Sequence, residues 1–248
     1  MHMAGQKMMM KNRILNLLFP PRCPVCDEIL EPEYAGKRRV HCKCEKKLIP
    51  VGSTVCMHCG RPVKETKEYC FDCGKKMLSQ SFVQGKALFA YQGAIRKTMY
   101  RFKYSNKREY ADFFAEEAVS RYGEWIRKNK IEAIIPVPMY EPKRKRRGYN
   151  QAECFAKCLS QKTGIPMEKN WVKRIRDTAP QKELNDVQRK NNLSGAFRCR
   201  EGIAPVRRVL LVDDIYTTGS TADVITEELL ENGVTSVFFL SICIGEGM

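Results

Sequence analysis

Thirteen consecutive residues, Val209-Leu-Leu-Val-Asp-Asp-Ile-Tyr-Thr-Thr-Gly-Ser-Thr221, gather groups that suit a phosphorylated polyol. The four apolar residues read as a strand covered on both faces, which delivers two adjacent acids, Asp213 and Asp214, at its C-terminal end. A turn follows, and then a helix. Backbone N–H groups at such a turn and at a helix N-terminus form an anion site. Thr217, Thr218, Ser220 and Thr221 add hydroxyl donors. Gly219 lets the backbone approach a phosphate closely. Carboxylates accept hydrogen bonds from sugar hydroxyls, directly or through Mg2+ and its waters. A ligand of a parallel sheet binds outside the carboxyl ends of the strands, so this loop is expected to face solvent.

A second chemistry lies near the start of the chain. Eight of the 12 cysteines fall between Cys23 and Cys73. Three pairs have the C-x-x-C spacing: Cys23 with Cys26, Cys56 with Cys59, and Cys70 with Cys73. Two thiolates at that spacing converge on one ion across a tight turn, and four make the closed tetrahedral shell of a structural zinc site. A fourth group, His41-Cys42-Lys43-Cys44, is irregular. Cys44 is one expected ligand. The other is Cys42 on ligand softness or His41 on spacing, with Cys42 the preferred reading. The expectation is two structural zinc ions. One is held by Cys23, Cys26, Cys42 and Cys44, the other by Cys56, Cys59, Cys70 and Cys73; an interleaved pairing also fits the spacing. Cys154, Cys158, Cys199 and Cys243 sit in apolar or helical settings and read as ordinary structural thiols.

These groups need elements to hold them. Residues 14–78 read as a cysteine-rich module too small to bury a core of its own, so metal binding supplies its folding energy. Residues 82–248 read as the α/β domain. Strands are expected at Ala133–Val137, Val209–Val212 and Ser236–Leu240, and a helix at Ala222–Asn232 stopped by Gly233. Asn150 reads as the N-cap of a helix whose face carries Ala152, Phe155, Ala156 and Leu159. Phe113, Phe114, Ala118, Tyr122 and Trp125 mark another amphipathic helix.

The 248 residues carry a net charge of +16. From Met139 to Arg200 there are 16 Lys and Arg against 6 Asp and Glu, a net of +10. So basic a stretch favours a polyanionic partner, nucleic acid or a phosphorylated substrate. The candidates are Lys143, Arg144, Lys145, Arg146, Arg147, Arg174, Arg176 and Lys182, with Tyr149 beside them as a base-stacking residue. No run of apolar residues is long enough to cross a bilayer, and the N-terminus lacks a signal-peptide core, so a cytoplasmic setting is expected.

With the cysteine pairs and the loop in place, the chain resembles the ComF competence family (ComFC-type), within the type I phosphoribosyltransferase superfamily. The loop matches that superfamily's signature for 5-phosphoribosyl pyrophosphate (PRPP). Leu18-Phe-Pro-Pro-Arg-Cys-Pro-Val-Cys26, Pro136-Val-Pro138, Arg144-Lys-Arg-Arg-Gly-Tyr-Asn-Gln-Ala152 and the segment from Thr178 to Phe197 look like further family segments. The resemblance implies a phosphoribosyltransferase-like parallel sheet flanked by helices, behind an N-terminal zinc module. It implies PRPP or a related ligand bound with Mg2+, Asp213 and Asp214 on the ribose, residues 217–221 on the 5′-phosphate, and the turn after Val137 on the pyrophosphate. It links the chain to natural transformation, with single-stranded DNA and other competence proteins as partners. The alternative is a working transferase that joins PRPP to a base or amine. The sequence shows no dedicated base-recognition hood, and the histidines, His2, His41 and His58, all lie outside the α/β region.

Overall fold

The computed structural model describes residues 20–31, 39–75, 82–177, 193, 195–202 and 206–245. The elements run α1 (Cys42–Glu45), α2 (Phe71–Lys75), β1 (Gln84–Ala90), α3 (Ala94–Tyr104), α4 (Tyr110–Lys128), β2 (Ala133–Pro136), α5 (Glu141–Arg147), α6 (Gln151–Thr163), β3 (Val172–Arg174), β4 (Phe197–Cys199), β5 (Arg208–Tyr216), α7 (Ser220–Glu231) and β6 (Ser236–Ile244). None of these helices is long and apolar enough to cross a membrane.

The main sheet has the order β1-β6-β5-β2, with every pair parallel. Its centre reads as the sequence predicts. Leu210 and Val212 point into a core built with α3, α4 and α6. Val209 and Leu211 alternate onto the opposite face, under Ile225 and Leu229 of α7. Burial on both faces is why β5 is continuously apolar. The strand runs further than expected, through Asp213 and Asp214 to Tyr216. Asn150 caps α6 as predicted, accepting the Ala152 N–H at 3.1 Å, and Gly164 ends it in the left-handed conformation.

Both sheet edges are covered, as edges must be to avoid pairing with other chains. On the β2 side, Ile134 N–H donates to Pro166 and Glu168 N–H to Ile134, both at 2.9 Å. On the β1 side, Val51 N–H donates to Leu88 and Ala90 N–H to Ile49, also at 2.9 Å. The segment around Pro50 thus adds antiparallel to β1 and divides the cysteine module in two. The part before it, with Cys23 and Cys44, joins the core on the α3–α4–α6 face. The part after it, with Cys56, Cys59, Cys70 and Cys73, joins the α7 face. The module straddles the edge of the sheet, so its small size is offset by packing on a core that is not its own.

The smaller sheet is among the elements that the sequence does not mark. β3 and β4 form an antiparallel pair between α6 and β5, placed against α7, where the Glu228 carboxylate accepts the Cys199 N–H at 2.8 Å.

Candidate functional site

The two acids sit where β5 ends, and they divide between the faces of the sheet because strand side chains alternate. Asp214 turns toward α3 and meets Lys103, with Nζ 2.8 Å from Oδ2. Burial works against the Lys103 charge; the Asp214 carboxylate outweighs it, and the ammonium is held above its usual pKa. Asp213 lines the small cavity of the loop with Tyr216, Thr217, Gly219, Ser220 and Thr221. Burial pushes its carboxyl well above the usual carboxylate range, and the neighbouring Asp214 charge adds to the shift. Asp213 also accepts the Asp214 N–H at 2.7 Å. A cation bound beside Asp213 would favour its ionised form.

The loop is less open than predicted. Thr217 is exposed, but Gly219 and Ser220 are buried, and the Asp214 side chain is 15% exposed. The Thr218 and Ser220 hydroxyls lie 3.1 Å apart. Gly219 has φ +84° at the start of α7. A Cβ there would lie 2.4 Å from the Tyr216 hydroxyl. The glycine is therefore required by the phenol packed against it as well as by the turn.

Beside the loop lies a cavity of about 430 Å3, lined by Pro136, Pro138, Asn150, Arg144 and Arg174 among others. The Val137 N–H donates to the Val212 carbonyl at 2.9 Å, so the ends of β2 and β5 lie side by side. The predicted basic residues divide here. Arg144 and Arg174 reach the cavity, and Arg174 lies over the Phe197 ring at 5.5 Å. Lys143 pairs with Asp177 at 2.8 Å, and Arg144 makes a bidentate pair with Glu141 on its own helix. Lys145, Arg146 and Arg176 are exposed. Lys182 lies outside the described residues. Tyr149 is not available to stack on a base. It is 5% exposed, donates its hydroxyl to the Phe102 carbonyl, and has the Arg108 guanidinium over its ring at 4.7 Å. The tyrosine is drawn inward because it precedes the buried start of α6.

The cysteines converge on two clusters. Cys56, Cys59, Cys70 and Cys73 bring their ligand atoms within 4.8 Å of one another, and so do Cys23, Cys26, His41 and Cys44. Cys42 is exposed and outside the second of these groups, contrary to the preferred reading of the sequence. Residues 42–45 are helical with His41 as N-cap. Residues three apart share a helix face, whereas residues two apart point to different sides, so His41 joins Cys44 and Cys42 turns out. The distances fit zinc. A tetrahedral shell with Zn–S of ~2.3 Å has edges of about 3.8 Å. Cys59 and Cys70 sulfurs are 3.7 Å apart, and the Cys26 sulfur is 3.3 Å from His41 Nδ1. Packed this closely, the four thiols share protons unevenly. The Cys59 hydrogen bond pulls Cys56 down, while hydrogen bonding to Cys56 pushes Cys59 and Cys73 up. A divalent cation takes all four as thiolates. Away from the clusters, burial raises Cys154 to about 11 and Cys199 to about 12.

The Cys56–Cys73 cluster touches the loop. Arg61, 6% exposed, forks between the Asp72 carboxylate and the Thr217 carbonyl. His58 stacks on Phe82 at 4.1 Å, donates Nε2–H to the Phe82 carbonyl, and places Nδ1 3.4 Å from the Cys73 sulfur. Phe82 in turn meets the Tyr216 ring edge-on at 6.3 Å. Neither Arg61 nor Lys103 was singled out from the sequence, because each acts on a partner more than a hundred residues away.

Comparison with known proteins agrees with both halves of the molecule. Residues 14–74 match the model of the double zinc ribbon domain family, which with the two clusters supports structural zinc. Competence protein F of Haemophilus influenzae is 33% identical over 192 residues, 73% of this chain and 81% of that protein. Competence protein ComFC of Bacillus subtilis is 26% identical, over 85% of this chain and 89% of that one. DNA utilization protein YhgH of Salmonella typhimurium is 27% identical, over 76% and 89%. Similarity of this degree over about three-quarters of the chain means that it belongs to the ComF competence protein family.

Proposed function

We propose that this chain handles single-stranded DNA during natural transformation, in the cytoplasm, and that its α/β domain binds PRPP or a related phosphoribosyl ligand with Mg2+. The observation that carries the ligand reading is the acid pair at the end of β5, running into a hydroxyl-lined turn at the start of α7 beside the cavity of Arg144 and Arg174. Asp213 and Asp214 would take the ribose hydroxyls and the hydrated Mg2+, which screens the phosphate charge. Residues 217–221 would hold the 5′-phosphate, and Arg144 and Arg174 the pyrophosphate. The DNA reading rests on the relatives, named for competence and DNA utilization, and on the basic stretch. Two structural zinc ions would rigidify the N-terminal module, and other competence proteins are its expected partners.

The ligand reading is tested by calorimetry with Mg2+ and PRPP. Asp214→Asn keeps the shape but not the charge, and should weaken binding by roughly tenfold or more, ~1.4 kcal/mol. Unchanged affinity would count against the assignment. Asp214→Ala is the poorer probe, because it also takes away the oxygen acceptor that Asn still offers to the partly buried Lys103. PRPP turnover with a panel of bases would move the reading to a working transferase.

The zinc assignment has its own test. Elemental analysis should give about two zinc per chain. Cys42→Ser should keep the full content and His41→Ala should lose zinc from one site. The reverse pattern would restore Cys42 as the ligand.

A further inference from the structure

The α3 helix carries two tyrosines that no packing role explains. Tyr100 and Tyr104 are 64% and 62% exposed. They stand four residues apart on one helix face, with ring centroids 5.0 Å apart and planes tilted by 51°. Buried tyrosines elsewhere in the chain, such as Tyr110 and Tyr149, use the hydroxyl as an anchor to another segment. Single exposed aromatics are ordinary, but a contiguous exposed pair is not.

Its surroundings are cationic. From Tyr91 to Arg108 the sequence holds six Lys and Arg, and no Asp or Glu. The Arg147 guanidinium, at the end of α5, lies over the Tyr104 ring at 5.1 Å. α5 has no buried residue, and it presents Lys145 and Arg146 to solvent on the same helix. Lys103, between the two tyrosines in sequence, reaches inward to Asp214. The aromatic pair therefore lies against the basic helix on one side and adjoins the acid pair on the other.

We infer that Tyr100 and Tyr104 form a base-stacking platform for single-stranded DNA, with Arg147 and the exposed cations of α5 taking the adjoining phosphates. Tyrosine faces stack on any base, and stacking of this kind is sequence-tolerant. A duplex hides its base faces, so the platform selects single strands. Arg147 reinforces one ring by its cation–π contact and offers its remaining N–H groups to the backbone. The site replaces Tyr149 as the aromatic partner of the basic run. The inference rests on the proposed handling of single-stranded DNA and names the surface that performs it.

Fluorescence anisotropy with a labelled oligothymidine, across a salt series, tests it on the full zinc-loaded chain. Tyr100→Ala with Tyr104→Ala should lower affinity by roughly tenfold for each base that had been stacked, with the salt slope unchanged, since no phosphate contact is lost. Tyr100→Phe with Tyr104→Phe should bind as the parent does. Lys145→Ala with Arg146→Ala should give the complementary result, a shallower salt slope. An abasic strand of equal length should bind the parent about as weakly as the oligothymidine binds the double alanine variant. A parent that binds the oligothymidine no better than the double alanine variant overturns the platform and leaves DNA handling standing. A parent that binds no single-stranded DNA at all overturns both. Loss of PRPP affinity in the double alanine variant with DNA binding intact would assign the tyrosines to the phosphoribosyl site instead, and also overturns the platform.

Discussion

Replacing Gly219 with valine should leave a folded protein in which the proposed binding of PRPP is lost or greatly weakened. Two effects combine. Gly219 has φ +84°, and a β-branched residue held there pays about 1–2 kcal/mol for the left-handed backbone alone. The added Cβ would also lie 2.4 Å from the Tyr216 hydroxyl and 2.9 Å from the ring carbon that bears it. Tyr216 cannot swing aside cheaply, because its ring is packed on Phe239 at 5.2 Å and on Phe82 at 6.3 Å. The strain is relieved by moving the loop, which shifts the N–H groups at the start of α7 that would face the 5′-phosphate. A loss of at least about 100-fold in affinity, ~2.7 kcal/mol, is expected, with Gly219→Ala intermediate. Circular dichroism should show an intact sheet, since β5 and α7 are held by buried residues on both sides of the loop. A valine variant that binds PRPP like the parent would remove this turn from the ligand site.

Gly219 also shows what a sequence carries and what it does not. Its place in a Thr-Thr-Gly-Ser-Thr turn after two acids identifies an anion loop, because that chemistry is local. That the Tyr216 ring folds back against it is decided by Phe82 and Phe239, which are distant in sequence, and only the structure reports it. The same division runs through the rest of the site. Cys-x-x-Cys pairs declare themselves, since the geometry of a zinc knuckle is set by spacing. The choice between His41 and Cys42 depended on whether residues 42–45 are helical, and a four-residue helix has no periodicity to read. Tyr149 was misplaced because a tyrosine beside charges looks exposed, while its burial is decided by Phe102 on α3, 47 residues away. Tyr100 and Tyr104 passed unnoticed for the opposite reason: an aromatic on a helix reads as core until its exposure is known. β3 and β4 have three residues each, too few for alternation to mark them.

Loss of zinc from the Cys56–Cys73 ribbon should weaken the proposed PRPP binding, and Arg61 should be the residue that transmits the loss. Four thiolates on one divalent ion carry a net charge of −2. Arg61 lies beside them, with Nη1 3.9 Å from the Cys70 sulfur, and its guanidinium also holds Asp72 and the Thr217 carbonyl. The arginine is thus fixed by the ribbon at one end and fixes the loop at the other. Cys59→Ser should release one zinc, free Arg61 from its setting and let the loop relax, with PRPP affinity falling by at least about tenfold. Cys26→Ser should lose the other zinc with a smaller effect on PRPP, since its cluster packs on the opposite face of the sheet. Arg61→Lys separates the two roles. A lysine keeps a positive charge near the thiolates but lacks the planar fork that spans Asp72 and Thr217 together. The lysine variant should retain its zinc, as read by a chromogenic chelator, and still lose PRPP affinity. If it keeps both, the loop does not depend on the ribbon, and the shared packing of Phe82, His58 and Tyr216 is only structural. If it loses both, Arg61 serves the zinc site first, and the loop follows from the collapse of the ribbon rather than from the bond to Thr217.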